Sequence, residues 1–480
     1  MKSNPRKGFF VFSEITSLIM ENIYRKPGNS NIAYYPTVFR VLLFIVIILL
    51  TKFVGIAQVA TNGDYRSRTS AVWSGASTWQ VRSGGSWANT ATAPTSSANI
   101  YIQSGHTVTV NIGTADCKDI HVNTGASVSI GTNTLQVSGK LRAYTGTVVT
   151  ATGADGVFYS SQASSTSPID GMLVTSGAGL LKFIGATRNI TNTGEWATNS
   201  TTHATEFALT AGATGTLQTG YKSSAITISS ATIDMGANRL SPDNNVANQG
   251  NCTVQNGATL MSANTGGTGF SVMSRTGTTA TGRAGTFTLN GKLVLNGTSP
   301  EIQFTTVNIN SGSTIEYSKA GGQNFVTSTF TGAAAIGSSY YNLILSGSGS
   351  KTPAGNFAVS NDITISGTAV LPLSTLTATI GGNWTSYGTA GFTESTSTVD
   401  FNGTGSQVIN TVSGEDFFKL NKSAAGTLTL NSDARFAGTS SELNISSGIM
   451  DAGTFTLSGT ASTALTMSGG TLKLAKLSNE

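Results

Sequence analysis

Charged residues, proline, cysteine and histidine are all scarce in this chain of 480 residues. Charged residues make up 10% of it, and it contains 9 prolines, 2 cysteines and 3 histidines. Disordered chains combine low hydrophobicity with high charge, whereas 38% of these residues are hydrophobic. Disorder is therefore excluded as the state of the whole chain. Two cysteines do not form a disulfide framework, and three histidines without ligand spacing do not indicate a zinc site.

A strongly basic body is also missing, although the sequence pI is near 9.1. Seven of the 27 basic residues but only two of the 22 acidic ones lie within residues 1–60, so the rest of the chain carries 20 of each sign. A neutral body without basic clusters lacks the electrostatic footprint that phosphate binding needs. We therefore expect no nucleic-acid partner.

The basic residues of the first 60 positions precede a single apolar run. That run covers residues 41–50, and small residues follow at Ala57 and Ala60. A positive segment, an apolar run and small residues are typical of a secretory signal peptide. An N-terminal membrane anchor over residues 41–60 is the alternative, since about 20 residues span a bilayer. Either interpretation of residues 1–60 predicts export across the inner membrane, with a secreted or cell-surface location and no other membrane contact.

The two cysteines lie in strand-like segments that are 135 residues apart. Cys117 precedes Ile120-His121-Val122, and Cys252 begins Cys252-Thr253-Val254. Free cysteine behaves as a small apolar side chain. We expect Cys117 and Cys252 to be buried free thiols.

Beyond residue 110 the chain shows strict alternation of apolar and polar residues over three to five positions. Stretches such as Ser127-Val128-Ser129-Ile130 are separated by turns rich in Gly, Asn, Ser and Thr. Alternation places apolar side chains on one face of a strand, and strands this short need stacked neighbours to bury that face. Three strands would form a coil of roughly 20–25 residues. The sequence predicts an all-β fold, a right-handed parallel β-solenoid (β-helix) over residues 113–480; an array of β-sandwich domains is the alternative.

Longer repeats recur at about 80 residues and suggest a supercycle of three to four coils. The segment Ser313–Tyr317 with Gln323 matches Ser397–Phe401 with Gln407 at an offset of 84. Two further matches, Tyr340–Leu343 with Phe417–Leu420 and Ile363–Ser366 with Leu443–Ser446, have offsets of 77 and 80. Offsets that drift indicate loops of variable length.

Residues 61–112 differ from the repeats because they contain three of the five tryptophans. The first coil of a solenoid needs a cover, since open strand edges pair with other chains. Large aromatic side chains suit such a cover. We predict an N-terminal cap over residues 61–112, and its candidate residues are Trp73, Trp79, Trp87 and His106. The position of His106 in a turn favours a backbone hydrogen bond over a metal ligand.

Several phrases resemble the secreted surface proteins of Bacteroidota. They are the Trp73–Trp79 segment, Gly105–Val110, Gly382–Thr385 and Phe401–Gln407. The resemblance implies a large, adhesin-like β-helical protein exported by the type IX route. Such proteins usually end in a conserved sorting domain, which is not recognisable at residues 472–480; a truncated reading frame or another mode of attachment would account for this.

No constellation of residues in the body predicts catalysis, a cofactor or a metal. Enzymes of the polysaccharide lyase and hydrolase classes need clustered carboxylates, and the closest pairs are Asp116/Asp119 and Glu415/Asp416. Glu316 and Asp400 occupy equivalent repeat positions. His121 alternates with apolar neighbours and is expected to face solvent. Calcium-loop patterns are absent.

The sequence thus favours a non-enzymatic structural or adhesion protein. It would present outward Thr, Ser and Asn faces and the loops 146–170, 193–205 and 262–283 to glycans or cell-surface components. A carbohydrate-active β-helix enzyme is one alternative. An ice-binding threonine ladder is another, since Thr-x-Thr pairs occur at Thr107/Thr109, Thr286/Thr288, Thr427/Thr429 and Thr454/Thr456.

Overall fold

The structure is a computed structural model of the chain. It describes residues 60–139, 141–143, 148–150, 157–160, 169–171, 180–190, 204–218, 220–242, 250–265, 273–274, 285–300, 302–304, 306–325, 339–387 and 391–475. All of these residues belong to one compact unit, 60–480. The predicted leader lies outside the described residues, so export stays a prediction.

The described residues form 51 short strands and no helix. The first fourteen are β1 (Tyr65–Ser67), β2 (Ala71–Val72), β3 (Trp79–Ser83), β4 (Ser86–Thr90), β5 (Ile100–Ile102), β6 (Thr107–Thr109), β7 (Thr114–Cys117), β8 (Ile120–Val122), β9 (Ser127–Ser129), β10 (Thr134–Val137), β11 (Leu141–Ala143), β12 (Val148–Thr150), β13 (Val157–Ser160) and β14 (Ile169–Gly171).

The middle of the chain contributes β15 (Leu180–Gly185), β16 (Arg188–Ile190), β17 (Ala204–Leu209), β18 (Thr214–Leu217), β19 (Tyr221–Ser223), β20 (Ile226–Ser230), β21 (Thr232–Asp234), β22 (Leu240–Pro242), β23 (Cys252–Val254), β24 (Thr259–Ser262), β25 (Met273–Ser274), β26 (Thr286–Leu289), β27 (Lys292–Leu295), β28 (Ile302–Gln303), β29 (Thr306–Ile309), β30 (Thr314–Tyr317) and β31 (Gln323–Phe325).

The last part contributes β32 (Ser339–Tyr340), β33 (Asn342–Leu345), β34 (Ser348–Pro353), β35 (Phe357–Val359), β36 (Ile363–Ile365), β37 (Thr368–Pro372), β38 (Thr377–Ile380), β39 (Trp384–Ser386), β40 (Phe392–Thr393), β41 (Thr398–Phe401), β42 (Ser406–Thr411), β43 (Glu415–Phe417), β44 (Lys419–Lys422), β45 (Thr427–Leu430), β46 (Ala434–Phe436), β47 (Glu442–Ile445), β48 (Ile449–Asp451), β49 (Leu457–Gly459), β50 (Ala464–Met467) and β51 (Thr471–Lys473).

Strands that are three apart along most of the chain pair in parallel, so each coil lies on the coil before it. The largest sheet stacks 13 strands from β16 to β51, and a 9-stranded sheet runs from β7 to β29. Among the described residues the pairs β1–β3 and β3–β4, both in the N-terminal region, are the antiparallel ones. The predicted β-solenoid is confirmed, and a β-sandwich array is excluded because its strands would be joined in antiparallel hairpins.

Strand alternation produces continuous columns of buried side chains. In the 13-stranded sheet one column runs in register through Ile233, Leu260, Leu293, Ile315, Leu343, Ile363, Trp384, Ile409 and Leu430. These side chains are at most 1% exposed. Burying one such side chain stabilises the fold by about 1.5–3 kcal/mol. A strand with only two inward residues thus becomes stable by adding them to a column.

Coil length varies with the loops between strands. Register partners Ile100 and Ile120 lie 20 residues apart, whereas Cys252 and Phe287 lie 35 residues apart. The matched 80-residue segments fall on different sheets, because Thr314–Tyr317 lies in the 13-stranded sheet and Thr398–Phe401 in the sheet from β32 to β50. The two segments are thus eleven strand positions apart, from β30 to β41, and the repeat does not return to the same face of the coil.

The matched glutamines of that repeat nevertheless have the same role. Gln323 Nε2 donates to the carbonyl oxygens of Leu295 and Gly297, both at 2.8 Å. Gln407 Nε2 donates to those of Ile380 at 2.9 Å and Gly382 at 3.0 Å. Both side chains are at most 2% exposed. Each therefore binds two carbonyl groups, two residues apart, where an earlier coil turns its corner.

Two buried lysines bind carbonyl groups in the same way. Lys351 Nζ donates to Lys319 O at 2.5 Å and Gly321 O at 3.4 Å. Lys422 Nζ donates to Phe401 O, Gly403 O and Ala424 O at 3.4, 3.0 and 2.6 Å.

We name Gln323, Lys351, Gln407 and Lys422 the corner donors. Burial, with Lys319 nearby, lowers the pKa of Lys351 to about 8. Burial also lowers the pKa of Lys422, and the Asp400 carboxylate opposes that change. Both shifts are the expected cost of removing an ammonium group from water.

Both cysteines are buried and free, as predicted. Cys117 and Cys252 lie in the 9-stranded sheet, six strand positions apart, which is roughly 29 Å at about 4.8 Å per strand. Burial raises the pKa of both thiols, that of Cys252 to about 12. They are inert core side chains.

Replacing a corner donor tests whether these bonds stabilise the stack. Gln407→Leu keeps most of the volume but removes the side-chain donor to the carbonyl oxygens of Ile380 and Gly382. The Ile380 oxygen keeps the backbone N–H of Asn402, so the Gly382 group carries most of the loss, and we expect the free energy of unfolding to fall by about 1–3 kcal/mol. Gln407→Lys supplies a donor like that of Lys351 and should recover part of the loss. Urea unfolding followed by circular dichroism measures both. The control is Gln136→Leu on the outer side of β10, expected within about 0.5 kcal/mol of the wild type; equal losses at both positions would contradict the role of Gln407.

Candidate functional site

Two of the predicted cap residues lie inside the first coil. Trp73 and Trp79 are fully buried, and their rings meet edge to face with centroids 5.1 Å apart. Trp79 Nε1 donates to the carbonyl oxygen of Trp73 at 2.6 Å. Tyr65 packs against Trp79 with centroids 6.4 Å apart. This aromatic group forms the beginning of the buried core.

His106 connects the first strand to the turn that follows β5. Its Nδ1 shares a hydrogen bond of 2.9 Å with Ser67 Oγ, and the backbone N–H of Gln103 donates to the same hydroxyl at 2.8 Å. The partner of the imidazole is thus a side chain, whereas the sequence led us to expect a backbone group. The role is structural.

Trp87 lies on the outer face of the sheet. Gly84 and Gly85 have φ values of 55° and 82°, the two positive values that a two-residue hairpin turn requires. This turn pairs β3 with β4 and places Trp87 directly opposite Arg82. The ring therefore faces away from Trp73 and Trp79, and covers an outer surface instead of the core.

Two arginines stack on this tryptophan. Arg66 Cζ lies 4.6 Å from the centroid of the Trp87 ring and Arg82 Cζ lies 5.7 Å from it. Arg66 Nε donates to Gln80 Oε1 at 2.8 Å, and Gln80 Nε2 donates to Asn89 Oδ1 at 2.9 Å. We name Arg66, Gln80, Arg82, Trp87 and Asn89 the outer platform. All five side chains are at least partly exposed.

Tyr101 and His121 continue the platform across the sheet. Tyr101 meets Trp87 edge to face at 6.5 Å, and it stacks on His121 with centroids 4.7 Å apart and an interplanar angle of 16°. His121 projects from the outer side of β8, but only 2% of it is exposed. The expectation that His121 faces solvent is therefore wrong, since stacked neighbours cover the imidazole.

A second polar site lies in a small cleft near the C-terminal part of the stack. Glu415 lines it from β43, beside Asp416 and Arg435, and the cleft has a volume of about 160 Å³. Trp384 Nε1 donates to Glu415 Oε2 at 3.3 Å. Burial raises the pKa of Glu415 to about 7, while the Trp384 hydrogen bond acts in the opposite direction. Arg435 Nε lies 2.5 Å from Asp416 Oδ1, so that carboxylate is neutralised.

The other carboxylate pairs named from the sequence do not converge. Glu316 lies on the 13-stranded sheet, 2.7 Å from Lys292, and Asp400 lies on a different sheet. Asp116 projects outward from β7, whereas Asp119 lies in the turn before β8. None of these pairs forms a common groove.

The Thr-x-Thr pairs do not stack on one another either. Thr107/Thr109, Thr286/Thr288 and Thr427/Thr429 belong to three different sheets, and Thr454/Thr456 lies in a turn before β49. Thr427 and Thr429 are in register with Ile449 and Asp451. A single regular threonine ladder therefore does not form from these residues.

Within the described ranges, no group of three His, Cys, Asp or Glu side chains is placed to hold a metal ion. The same residues include no helix that is long and apolar enough to cross a membrane. The predicted loops 146–170, 193–205 and 262–283 lie largely outside the described residues.

Comparison with known proteins gives no match: no family model, no curated protein and no solved structure is significantly similar to this chain.

Sequence reasoning missed the outer platform, although a signal for it was present. Ser83-Gly84-Gly85-Ser86 is a two-residue hairpin signature, and it places Arg82 opposite Trp87. Arg66 could not be found in this way, because its contact depends on the pairing of β1 with β3.

Removing a buried cap tryptophan should destabilise the start of the stack. Trp79→Ala deletes a fully buried ring, and we expect a loss of about 3–5 kcal/mol in the free energy of unfolding. The control Trp87→Ala removes a partly exposed ring and should cost less than about 2 kcal/mol. Thermal unfolding followed by tryptophan fluorescence measures the stability of both variants. A larger loss of stability in Trp87→Ala than in Trp79→Ala would show that the Trp87 ring, and not the buried Trp79 ring, covers the first coil.

Glu415 should make stability depend on pH. Its folded pKa of about 7 exceeds the ordinary 4.5, so the folded state holds the proton more tightly than the unfolded state. The contribution is fully present below pH 4.5 and is lost as the pH rises through 7, by at most about 3 kcal/mol. Glu415→Gln should abolish this loss.

Urea unfolding of both proteins at pH 4.5 and 7.5 measures the difference. The control Glu442→Gln removes a half-exposed partner of Lys419, and we expect it to change stability by less than about 1 kcal/mol at both pH values. A stability difference between the wild type and Glu415→Gln that is the same at both pH values would contradict the titration of Glu415.

Proposed function

We propose that the chain is a non-enzymatic extracellular or cell-surface protein that contacts glycans through repeated polar faces of its solenoid. The observation that carries this proposal is a column of outward polar side chains on the sheet from β32 to β50. In register it consists of Thr379, Asp400, Asn421, Asn444 and Thr466. Hydroxyl, carboxylate and amide groups thus recur at about 4.8 Å, the spacing of paired strands.

Ion pairs between neighbouring strands use many of the charged side chains beside such columns. The pairs are Lys182–Glu206 at 3.0 Å, Lys292–Glu316 at 2.7 Å, Lys419–Glu442 at 3.6 Å and Arg435–Asp416 at 2.5 Å. Each joins two adjacent coils. These carboxylates are therefore arranged along the stack, and a catalytic groove would need them to converge.

A periodic polar face suits a polymeric ligand. Each hydrogen bond to such a face is weak, but a repeating ligand engages several of them at once, and linked contacts bind far more tightly than single ones. A secreted or surface location is supported by the leader pattern of residues 1–60 and by the resemblance to adhesin-like proteins.

A glycan array probed with the full chain tests this function. We expect binding to polysaccharides and little binding to their monosaccharides. The double variant Asn421→Ala, Asn444→Ala should weaken binding of neutral polysaccharides at least about threefold, since it removes two contacts. The control, Thr364→Ala with Thr385→Ala on the 13-stranded sheet, should leave that binding unchanged. No binding to any glycan by the wild type would refute the proposal.

A carbohydrate-active enzyme is the second candidate, and the Glu415 cleft is the observation that favours it. A carboxyl group with a pKa of about 7 suits a general acid. Against it, Asp416 is paired with Arg435, and the cleft of about 160 Å³ is smaller than the roughly 300–1,000 Å³ of most ligand sites. Release of reducing ends or unsaturated products from polysaccharides, abolished in Glu415→Gln, would establish this activity in place of the first proposal.

A further inference from the structure

We propose that the outer platform is a binding site for an acidic polysaccharide, with the guanidinium groups of Arg66 and Arg82 engaging its carboxylate or sulfate groups. This inference rests on the proposed contact with glycans and names the class of glycan and the residues that select it.

The stacking geometry leaves the arginines able to bind an anion. Both guanidinium groups lie within 5.7 Å of the Trp87 ring centroid. A guanidinium that stacks on an aromatic face uses its own flat face, and its N–H groups point outward in its plane, where they match a carboxylate or a sulfate. Arg66 uses Nε for Gln80, so its two terminal nitrogens stay available. The Trp87 ring thus orients the guanidinium groups of Arg66 and Arg82.

The charge of the platform is unbalanced. Within the described part of the chain, no carboxylate lies within 4.0 Å of Arg66 or Arg82, whereas Lys182, Lys292, Lys419 and Arg435 each have such a partner. Two cations that share one ring repel each other, and burial together with Arg82 lowers the pKa of Arg66. A bound anion would offset this repulsion, so the site favours a negatively charged ligand.

The neighbouring side chains point to a polymer in preference to a free anion. Asn89, Gln80, Arg66 and Tyr101 are in register across β4, β3, β1 and β5. Three strand spacings give this row a length of roughly 14 Å. The amide groups of Asn89 and Gln80 on one side of the cations are of the kind that binds sugar hydroxyl groups, while Tyr101 on the other side is stacked on His121 and closes that end of the row.

A nucleic acid fits this surface less well than an acidic glycan. Affinity for duplex DNA comes largely from Lys and Arg contacts to several phosphates, for example about 6–10 in a strongly salt-dependent binder. Residues 61–480 carry equal numbers of basic and acidic residues, and the platform offers two cations. A ligand of low charge density that also has hydroxyl groups matches it better.

The experiment measures binding of the full chain to four immobilised polymers: polygalacturonate, dextran sulfate, neutral dextran and duplex DNA. We expect affinity for one or both acidic polysaccharides that weakens as NaCl is raised, and the two acidic arms distinguish a carboxylate ligand from a sulfate ligand. Arg82→Gln should reduce this affinity about tenfold, and Arg66→Gln with Arg82→Gln should reduce it further. Arg82→Lys keeps the charge but loses the planar fork, so we expect an intermediate loss.

The matched control is Arg435→Gln, which removes an arginine that Asp416 already neutralises; its affinity should equal that of the wild type. The thermal midpoint of each variant shows whether the hairpin is intact. Arg82→Gln is the variant least expected to disturb the hairpin, since the Arg82 side chain makes no hydrogen bond to another described residue. Unchanged affinity in the double variant, an equal loss in Arg435→Gln, or preference for DNA over both acidic polymers would overturn the site. Binding to neutral glycans alone would overturn this inference while leaving the proposed function standing, and binding to no glycan would remove both.

Discussion

Parallel backbone hydrogen bonds between successive coils fix the positions of the strand side chains in most of the described part of this fold. A strand of three or four residues gives its N–H and C=O groups to the coils on either side, and its inward side chains join the columns that those coils have begun. The column from Ile233 to Leu430 is kept in register over nine coils although the loops between strands differ in length. Register is therefore preserved by the inward side chains, and loop length is free to vary.

At the corners of the coils, carbonyl groups point inward and are buried, and some of them, such as that of Ile380, also accept a backbone N–H from the next coil. An unpaired buried carbonyl group costs about as much as a lost hydrogen bond. Gln323 and Gln407 bind these groups with an amide, and Lys351 and Lys422 bind them with an ammonium group. Burial lowers the pKa of both lysines, and the carbonyl oxygens around each ammonium group replace part of the water that it has lost. Buried polar side chains thus supply further donors to the carbonyl groups at the corners.

Alternation and turn residues were sufficient to predict the solenoid, because inward and outward positions follow directly from strand periodicity. The match between Gln323 and Gln407 was also visible, but its meaning was not, since the bonded carbonyl groups belong to an earlier coil 25–28 residues away. His121 shows the same limit: its outward orientation followed from alternation, and its burial depended on Tyr101 from the coil before. Glu415 and Trp384 are 31 residues apart. Local pattern determines which way a side chain points, and the stacking of coils determines what it meets.

The dependence of side-chain contacts on the stacking of coils also explains where a specific binding site can arise on such a protein. Along the regular stack each outward residue has its neighbours above and below fixed by register, so charges are readily paired from coil to coil, as Lys292 is with Glu316. The hairpin β3–β4 interrupts that order, because it is antiparallel and turns at Gly84 and Gly85. There Arg82 faces Trp87 in place of a carboxylate, and Arg66 is drawn to the same ring. The antiparallel hairpin that contributes Trp79 to the core on one side of the sheet therefore leaves two cations on the other side, and these have no carboxylate partner among the described residues.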